Sequence, residues 1–213
     1  MDVVAGLAAG AVQVLVGHPF DTVKVHLQNR RPWPGFRVLY RGFRYPLAYA
    51  CGYNALVFPI VQRSQDTYGY ALSGLMAGAC TTPLVYTLDL CTVKRQLGLP
   101  IQLQRGLTAC LARESLAMAL YFSSYHALRR HEWSTMTAGA CAGLVNWAVT
   151  YPIDTVRNRQ FAENVTSRAA MKRKRFYRGF SVCAMRAVLV NAAIFTTYEG
   201  VMSINRNEDE TKK

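Results

Sequence analysis

An acid and a base recur at fixed spacing inside segments that are otherwise apolar. Asp21 and Lys24 follow one proline, and Asp154 and Arg157 follow another with the same spacing. Ionisable side chains inside an apolar helix are costly, so they pair with each other or face a water-filled cavity. The pattern therefore indicates ion pairs in the interior of a helical bundle.

A third, degraded copy of this pattern lies in the middle of the chain. Gly74 and Gly78 reproduce the G-x-x-x-G spacing that precedes the other two copies, and counting from them places Asp89 at the acidic position and Thr92 at the basic one. Three copies around an axis predict a ring of contacts between copies. The expected contacts are Lys24 with Asp89, Arg157 with Asp21, and a hydrogen bond from Thr92 to Asp154. The alternative is an i,i+3 ion pair within each single helix.

A second set of residues, most of them charged, stands near the middle of the second, fourth and sixth apolar segments of the chain. Tyr49, Arg113 and Arg186 each lie eight residues beyond the arginine of an Arg-Gly dipeptide, and Glu114 follows Arg113. An arginine can bind a carboxylate through two parallel hydrogen bonds, and Glu114 offers a counter-charge for an ammonium group. These residues predict a site for a small zwitterion, and a structural Arg–Glu pair between helices is the alternative.

The elements that must position these residues are long apolar helices. The chain has 213 residues, a net charge of +13 and 51% hydrophobic residues, with a mean hydropathy of +0.06. Several stretches approach the 20 or so residues that span a bilayer, whereas a soluble helical protein is the alternative. The predicted helices are 2–28, 43–64, 70–97, 107–130, 134–161 and 180–204.

The sequence predicts an all-α fold of six transmembrane helices in three parallel repeats with pseudo-threefold symmetry around a central cavity. The whole chain, 1–213, forms one domain, with repeats at 1–66, 67–131 and 132–204 and a polar tail at 205–213. The G-x-x-x-G spacings allow close approach of helix backbones. Pro19 and Pro152 are expected to kink their helices.

Several functional classes lack support in the sequence. No cluster of His and Cys has the spacing of a metal site, and no nucleophile–base constellation of an enzyme is visible, so we predict no catalytic residue, no metal and no cofactor. The basic charge has no nucleic-acid-reading motif beside it. No cleaved presequence is recognisable at the N-terminus.

These motifs resemble the mitochondrial carrier family, whose signature is P-x-[DE]-x-x-[KR] in each of three repeats. The resemblance implies alternating access in the mitochondrial inner membrane, with the ion-pair ring as the gate on the matrix side. It also implies that Gln28 and Gln96 brace this gate, while Phe161 stands at the third brace position. The matrix segments of the first two repeats are shorter than is usual in the family.

The resemblance also implies a gate at the cytoplasmic end of the cavity. Its members would lie near the ends of the second, fourth and sixth helices, where few of them carry a firm charge. They are Gln62, Gln65, Tyr125, His126, Arg129, Tyr198 and Glu199.

Local strings such as "GHPFDTVKVHLQ" and "TYPIDTVR" are most similar to the branch that carries basic amino acids and carnitine. Substrate contacts implied by the resemblance are Arg113, Glu114, Arg186, Tyr49, Tyr53, Asn54 and Asn191. The expected function is exchange or uniport of small cationic or zwitterionic metabolites, foremost arginine, lysine and ornithine, by a monomer that binds membrane lipid, cardiolipin in particular. Alternatives are a carnitine/acylcarnitine carrier and a decayed carrier that no longer transports.

Overall fold

The structure, a computed structural model, describes the backbone of residues 2–190 and of residue 193, with side chains except at 2–9, 50–52, 54–55, 58 and 136. Within these residues the fold is all-helical and contains no strand. The helices are α1 (Asp2–Gln28), α2 (Arg44–Gln96), α3 (Leu107–Arg130), α4 (Thr135–Glu163), α5 (Ser167–Lys172) and α6 (Phe180–Val190).

Helix α2 combines two segments that the sequence predicted as separate helices with a loop at 65–69. The helix instead continues to Gly69, whose φ of 74° and ψ of 166° interrupt it at a single residue. A positive φ is accessible to glycine at little cost, so one residue is enough to change the direction of the chain. The polar residues before Gly69 extend the helix instead of ending it.

Short connections join the helices at the end of the bundle where the acid–base motifs lie. Residues 29–43 contain only a 3₁₀ turn at Phe36–Val38, and residues 97–106 contain no helix. The third connection holds α5, which begins at a Thr166 cap whose hydroxyl accepts a hydrogen bond from the Ala169 amide at 3.3 Å. Compact connections of this kind keep the ends of the helices close together.

A glycine seam joins the second half of α2 to α3. A Cβ atom added at Gly74 would lie 2.7 Å from backbone atoms of Met118 and Ala119, and one added at Gly78 would lie 2.5 Å from the Glu114 carbonyl oxygen. This confirms the predicted close approach of backbones in the middle repeat. By contrast, a Cβ added at Gly143 of the third repeat would meet no atom of the described residues within 4 Å.

Substituting the two kinds of glycine provides a matched test of this packing. Gly78→Ala must push two helix backbones apart, so we expect a loss of about 1–3 kcal/mol of stability, as in overpacked cores. Gly143→Ala adds the same methyl group where no described atom lies within 4 Å, and it should leave the stability unchanged or slightly higher. Thermal unfolding of both variants in detergent measures the difference, and equal unfolding midpoints would contradict the seam.

Hydropathy identifies one membrane-spanning candidate among the described helices. The segment Pro59–Gln96 within α2 is long enough, with a mean hydropathy of 1.3 over its most apolar window. The described part of α6 is apolar but shorter. In α1, charged residues of the inner face such as Asp21 and Lys24 lower the hydropathy.

Candidate functional site: a closed-ended polar cavity

A polar cavity of about 530 Å³ lies among α1, α2, α3, α4 and α6. Its lining contains most of the charged residues that the sequence placed in the interior of the bundle. These are Asp21, Lys24, Asp89, Arg113, Arg157 and Arg186, together with Tyr49, Tyr53 and Thr92. A cavity of this size and polarity suits a small charged molecule.

Two interhelical ion pairs close one end of the cavity. Lys24 Nζ lies 2.6 Å from Asp154 Oδ2, and Arg157 Nη1 lies 2.7 Å from Asp89 Oδ2. Arg157 also binds Asp154 of its own helix at 2.8 Å, so the i,i+3 alternative is present beside the interhelical pairs. We call Lys24, Asp89, Asp154 and Arg157 the gate cluster.

The gate cluster corrects the expected pairing. Lys24 binds Asp154 instead of Asp89, and Arg157 binds Asp89 instead of Asp21. Each base therefore reaches the acid of the preceding repeat around the axis, whereas the predicted partner was the acid of the following repeat. Spacing along the chain identifies the members of such a ring but not the direction in which three helices follow each other around the axis.

The two residues without the expected partner take others. Thr92 donates a hydrogen bond to the Leu88 carbonyl of its own helix at 2.8 Å and does not contact Asp154. Asp21 forms an ion pair with Arg186, whose Nε lies 2.9 Å from Asp21 Oδ1. One of the predicted substrate contacts is thereby connected directly to one of the predicted gate acids.

A layer of amides lies under the gate cluster, as predicted for Gln28. Gln28 Nε2 donates to Asp154 Oδ2 at 3.1 Å and to Thr155 Oγ1 at 3.2 Å, while Asn158 Nδ2 donates to Gln28 Oε1 at 2.6 Å. Gln96 Nε2 instead donates to the hydroxyl of Thr22 at 3.1 Å. Phe161 is fully buried at the third brace position. The Arg157 guanidinium lies over the Phe161 ring, with its Cζ 5.8 Å from the ring centre.

Arg113 and Glu114 form an ion pair beside the middle of the cavity. Glu114 is fully buried, is not part of the lining, and accepts a hydrogen bond from Tyr53 Oη at 3.3 Å. Arg157 Nη1 also lies 3.6 Å from its carboxylate. In this conformation Arg113 faces the cavity, and Glu114 neutralises it from behind.

Aromatic rings form one wall of the cavity. The rings of Tyr49 and Tyr53 are 4.5 Å apart, and both side chains line the cavity as expected. Sequence reasoning missed Trp147, over whose ring both Lys24 Nζ and the Arg113 guanidinium lie, at 4.4 and 5.1 Å. Trp147 stands five residues before Pro152, on the cavity side of α4. Its position shortly before the proline motif was the signal that could have identified it.

The other end of the cavity has no ion pair among the described members of the predicted cytoplasmic gate. His126 stacks on Tyr70 at 3.5 Å and meets the ring of Tyr125 edge to face. Arg129 donates to the Trp133 carbonyl at 2.6 Å, and Gln62 is exposed. The predicted residues Asn191, Tyr198 and Glu199 and the side chain of Asn54 lie outside the part that the structure describes.

Comparison with known proteins identifies the family. The family model described as mitochondrial carrier protein matches residues 1–32 and 131–208. The chain is a mitochondrial carrier. Its sequence is 30% identical to the mitochondrial basic amino acids transporter of Bos taurus, with 98% of this chain and 93% of the relative covered.

Two plant carriers are similar to this one over most of their length. The mitochondrial arginine transporter BAC2 of Arabidopsis thaliana is 29% identical, covering 92% of this chain and 88% of the relative. A carnitine/acylcarnitine carrier-like protein of the same plant is 28% identical, covering 93% and 96%. The alignment with the bovine relative extends over 279 positions, so this carrier of 213 residues is shorter within the shared region.

Proposed function

We propose that this carrier transports basic amino acids across the mitochondrial inner membrane by alternating access. Six helical segments, which are α1, the two halves of α2, α3, α4 and α6, would span the membrane in three pseudo-threefold repeats, with the gate cluster on the matrix side. The names of the bovine and Arabidopsis relatives support the substrate class. The closed gate cluster, with no ion pair among the described gate residues at the opposite end, supports a cavity that is accessible from the cytoplasmic side.

The observation that carries this proposal is the Arg113–Glu114 ion pair at the cavity wall. An α-amino acid presents the same two charges in the complementary order, a carboxylate and an ammonium. A substrate carboxylate can bind Arg113 through its guanidinium fork. Glu114 would then be released to bind the substrate ammonium, so one ion pair is exchanged for two and no buried charge stays unpaired.

The cationic side chain of the substrate needs acceptors of its own. Asp21 and Asp89 line the cavity, and 35% and 31% of their side chains are exposed. The adjacent Tyr49 and Tyr53 rings, tilted 33° to each other, provide further favourable surface for a guanidinium. A nucleotide has no cation to meet these carboxylates, and its phosphates would be repelled by them.

Carnitine remains the second candidate because of one specific observation. The paired aromatic faces of Tyr49 and Tyr53 suit a quaternary ammonium group, and a carnitine/acylcarnitine carrier-like protein is among the relatives. Carnitine also carries a carboxylate for Arg113. It lacks an N–H donor, however, so it gains less from Glu114 than an amino acid does.

Uptake into proteoliposomes distinguishes these substrates. We expect the purified carrier to take up labelled arginine, lysine and ornithine, with weaker uptake of carnitine and none of ADP. Glu114→Gln keeps the shape and removes the charge, which should weaken apparent affinity for arginine by about tenfold or more, because hydrogen bonds to charged groups contribute about 1.5–3 kcal/mol. Unchanged arginine affinity in this variant would contradict the assigned role of Glu114.

The same assay separates the remaining readings. Loss of carnitine uptake alone in Glu114→Gln would favour the carnitine carrier. No uptake of any of these compounds by the parent protein would favour a carrier that has lost transport. Cardiolipin binding and a monomeric state are further proposals, which native mass spectrometry of the protein from nanodiscs would test.

A further inference from the structure

The three helices that carry the gate cluster meet at three interfaces, and one of them has no ion pair among the described residues. Lys24 and Asp154 connect α1 to α4, and Arg157 and Asp89 connect α4 to α2. Between α1 and α2 the corresponding base is replaced by Thr92, which binds its own helix. Other groups must therefore hold this side of the gate closed.

His26 lies at this third interface, in the last turn of α1. Its Nε2 is 3.2 Å from the Gln96 carbonyl oxygen at the end of α2, and its Nδ1 is 2.9 Å from the Pro32 carbonyl oxygen in the following connection. Carbonyl groups at the end of a helix lack intrahelical donors. The neighbouring carbonyls of Val93, Lys94 and Arg95 accept backbone amides of residues 97–99. His26 can donate to the Gln96 carbonyl whenever Nε2 carries a proton, and to both carbonyls when both ring nitrogens do.

Arg159 makes the equivalent contacts in the third repeat. It stands two residues after Arg157, as His26 stands two residues after Lys24. Its Nη1 donates to the Ala170 carbonyl of its own connection at 2.9 Å, and its Nε donates to the Gln28 carbonyl at the end of α1 at 3.4 Å. The same geometry at two repeats makes the His26 contacts a recurring element and not a local accident.

We propose that His26 is a positioning residue that closes the α1–α2 side of the matrix gate in place of an ion pair. It holds the end of α2 against α1, and the hydrogen bond from Gln96 to Thr22 at 3.1 Å lies beside it. Arg159 occupies an interface that already has the Lys24–Asp154 pair, whereas His26 acts without one. This inference rests on the proposed function, because it assumes that this end of the cavity opens during transport.

Solvent access from the matrix side tests this role without measuring transport. A cysteine replaces Gln13, which lines the cavity, in a chain whose native cysteines are changed to alanine. Inverted inner-membrane vesicles are then treated with a charged methanethiosulfonate reagent that cannot cross the membrane. Labelling of the cysteine from this side reports how often the gate opens.

We expect His26→Leu to increase the labelling rate about three- to tenfold, the effect of losing one or two net hydrogen bonds. His26→Arg supplies several N–H donors permanently and should label at the parent rate or more slowly. His131→Leu is the matched control, because His131 is exposed and lies beyond α3 at the opposite end; it should label like the parent. A parent-like rate for His26→Leu, or equal acceleration by His26→Arg, would overturn the proposal.

A third variant keeps the test decisive if His26→Leu fails to fold, as monitored by its unfolding midpoint in detergent. His26→Gln retains one donor group and should label faster than His26→Arg, and equal rates for these two variants would overturn the proposal. Failure of the proposed function has a different signature. The parent would then take up no amino acid, while the order of labelling rates among the His26 variants would persist.

Discussion

Asp154→Asn is expected to be the most damaging single substitution in the gate cluster. Asp154 is fully buried and binds Lys24 at 2.6 Å, Arg157 at 2.8 Å and Gln28 at 3.1 Å. Breaking a buried ion pair by removing one partner typically costs about 3–5 kcal/mol, because the remaining charges stay buried without compensation. Here two cations lose their shared acceptor. We therefore expect a large drop in the unfolding midpoint in detergent and loss of amino acid uptake.

Two comparisons give this expectation its specificity. Asp21→Asn should be milder, because Asp21 is partly exposed and forms a single ion pair, with Arg186, among the described residues. Glu163→Gln removes an acid from an exposed pair with Arg173 at 2.6 Å, where about 0–1 kcal/mol is at stake, and should leave uptake near the parent level. An effect of Asp21→Asn as large as that of Asp154→Asn would contradict the pairing described above.

Arg186→Gln is expected to reduce the apparent affinity for arginine about 10- to 100-fold. Arg186 faces the cavity and pairs with Asp21 through Nε at 2.9 Å, and its other guanidinium N–H groups can donate to a substrate carboxylate. A hydrogen bond between charged groups contributes about 1.5–3 kcal/mol, which corresponds to the stated change in affinity. Concentration-dependent uptake of labelled arginine into proteoliposomes measures it.

Asp21→Asn separates substrate binding from simple pairing at Arg186. If Arg186 only holds Asp21 in place, both substitutions break the same contact and should have equal effects on affinity. If Arg186 binds substrate, Asp21→Asn frees the guanidinium and leaves Asp89 as an acceptor for the cationic side chain of the substrate, so it should weaken affinity less than Arg186→Gln does. Arg168→Gln, which changes an exposed residue on α5, controls for the loss of one positive charge.

Helix positions could be predicted from the sequence because long apolar segments leave few alternatives. α1, α3 and α4 lie within two residues of their predicted bounds, and Gln28 contacts Asp154 as expected. Tyr49, Tyr53, Arg113 and Arg186 line one cavity. A shared distance from a repeated motif places side chains at the same depth, whatever the details of packing.

Contacts between helices were less predictable. The ring partners of Lys24 and Arg157 were wrong, because periodicity does not contain the order of helices around an axis. Glu114 was expected to face the cavity, yet Arg113 and Tyr53 cover it, since a neighbouring cation on the same helix is a closer partner than a solute. The helix break at 65–69 was misplaced because only Gly69 departs from helical geometry.

The seam at Gly74 and Gly78 has a consequence for how the cavity can open. Side chains between two helices can change rotamers one at a time, so such an interface shifts in small steps. At Gly74 and Gly78 the two backbones are in direct contact, since an added Cβ would lie 2.5–2.7 Å from backbone atoms of α3. No layer of side chains between them could rearrange. The second half of α2 and helix α3 therefore move together as one rigid unit. The displacement that exposes either end of the cavity then occurs at the interfaces of this unit with α1 and α4.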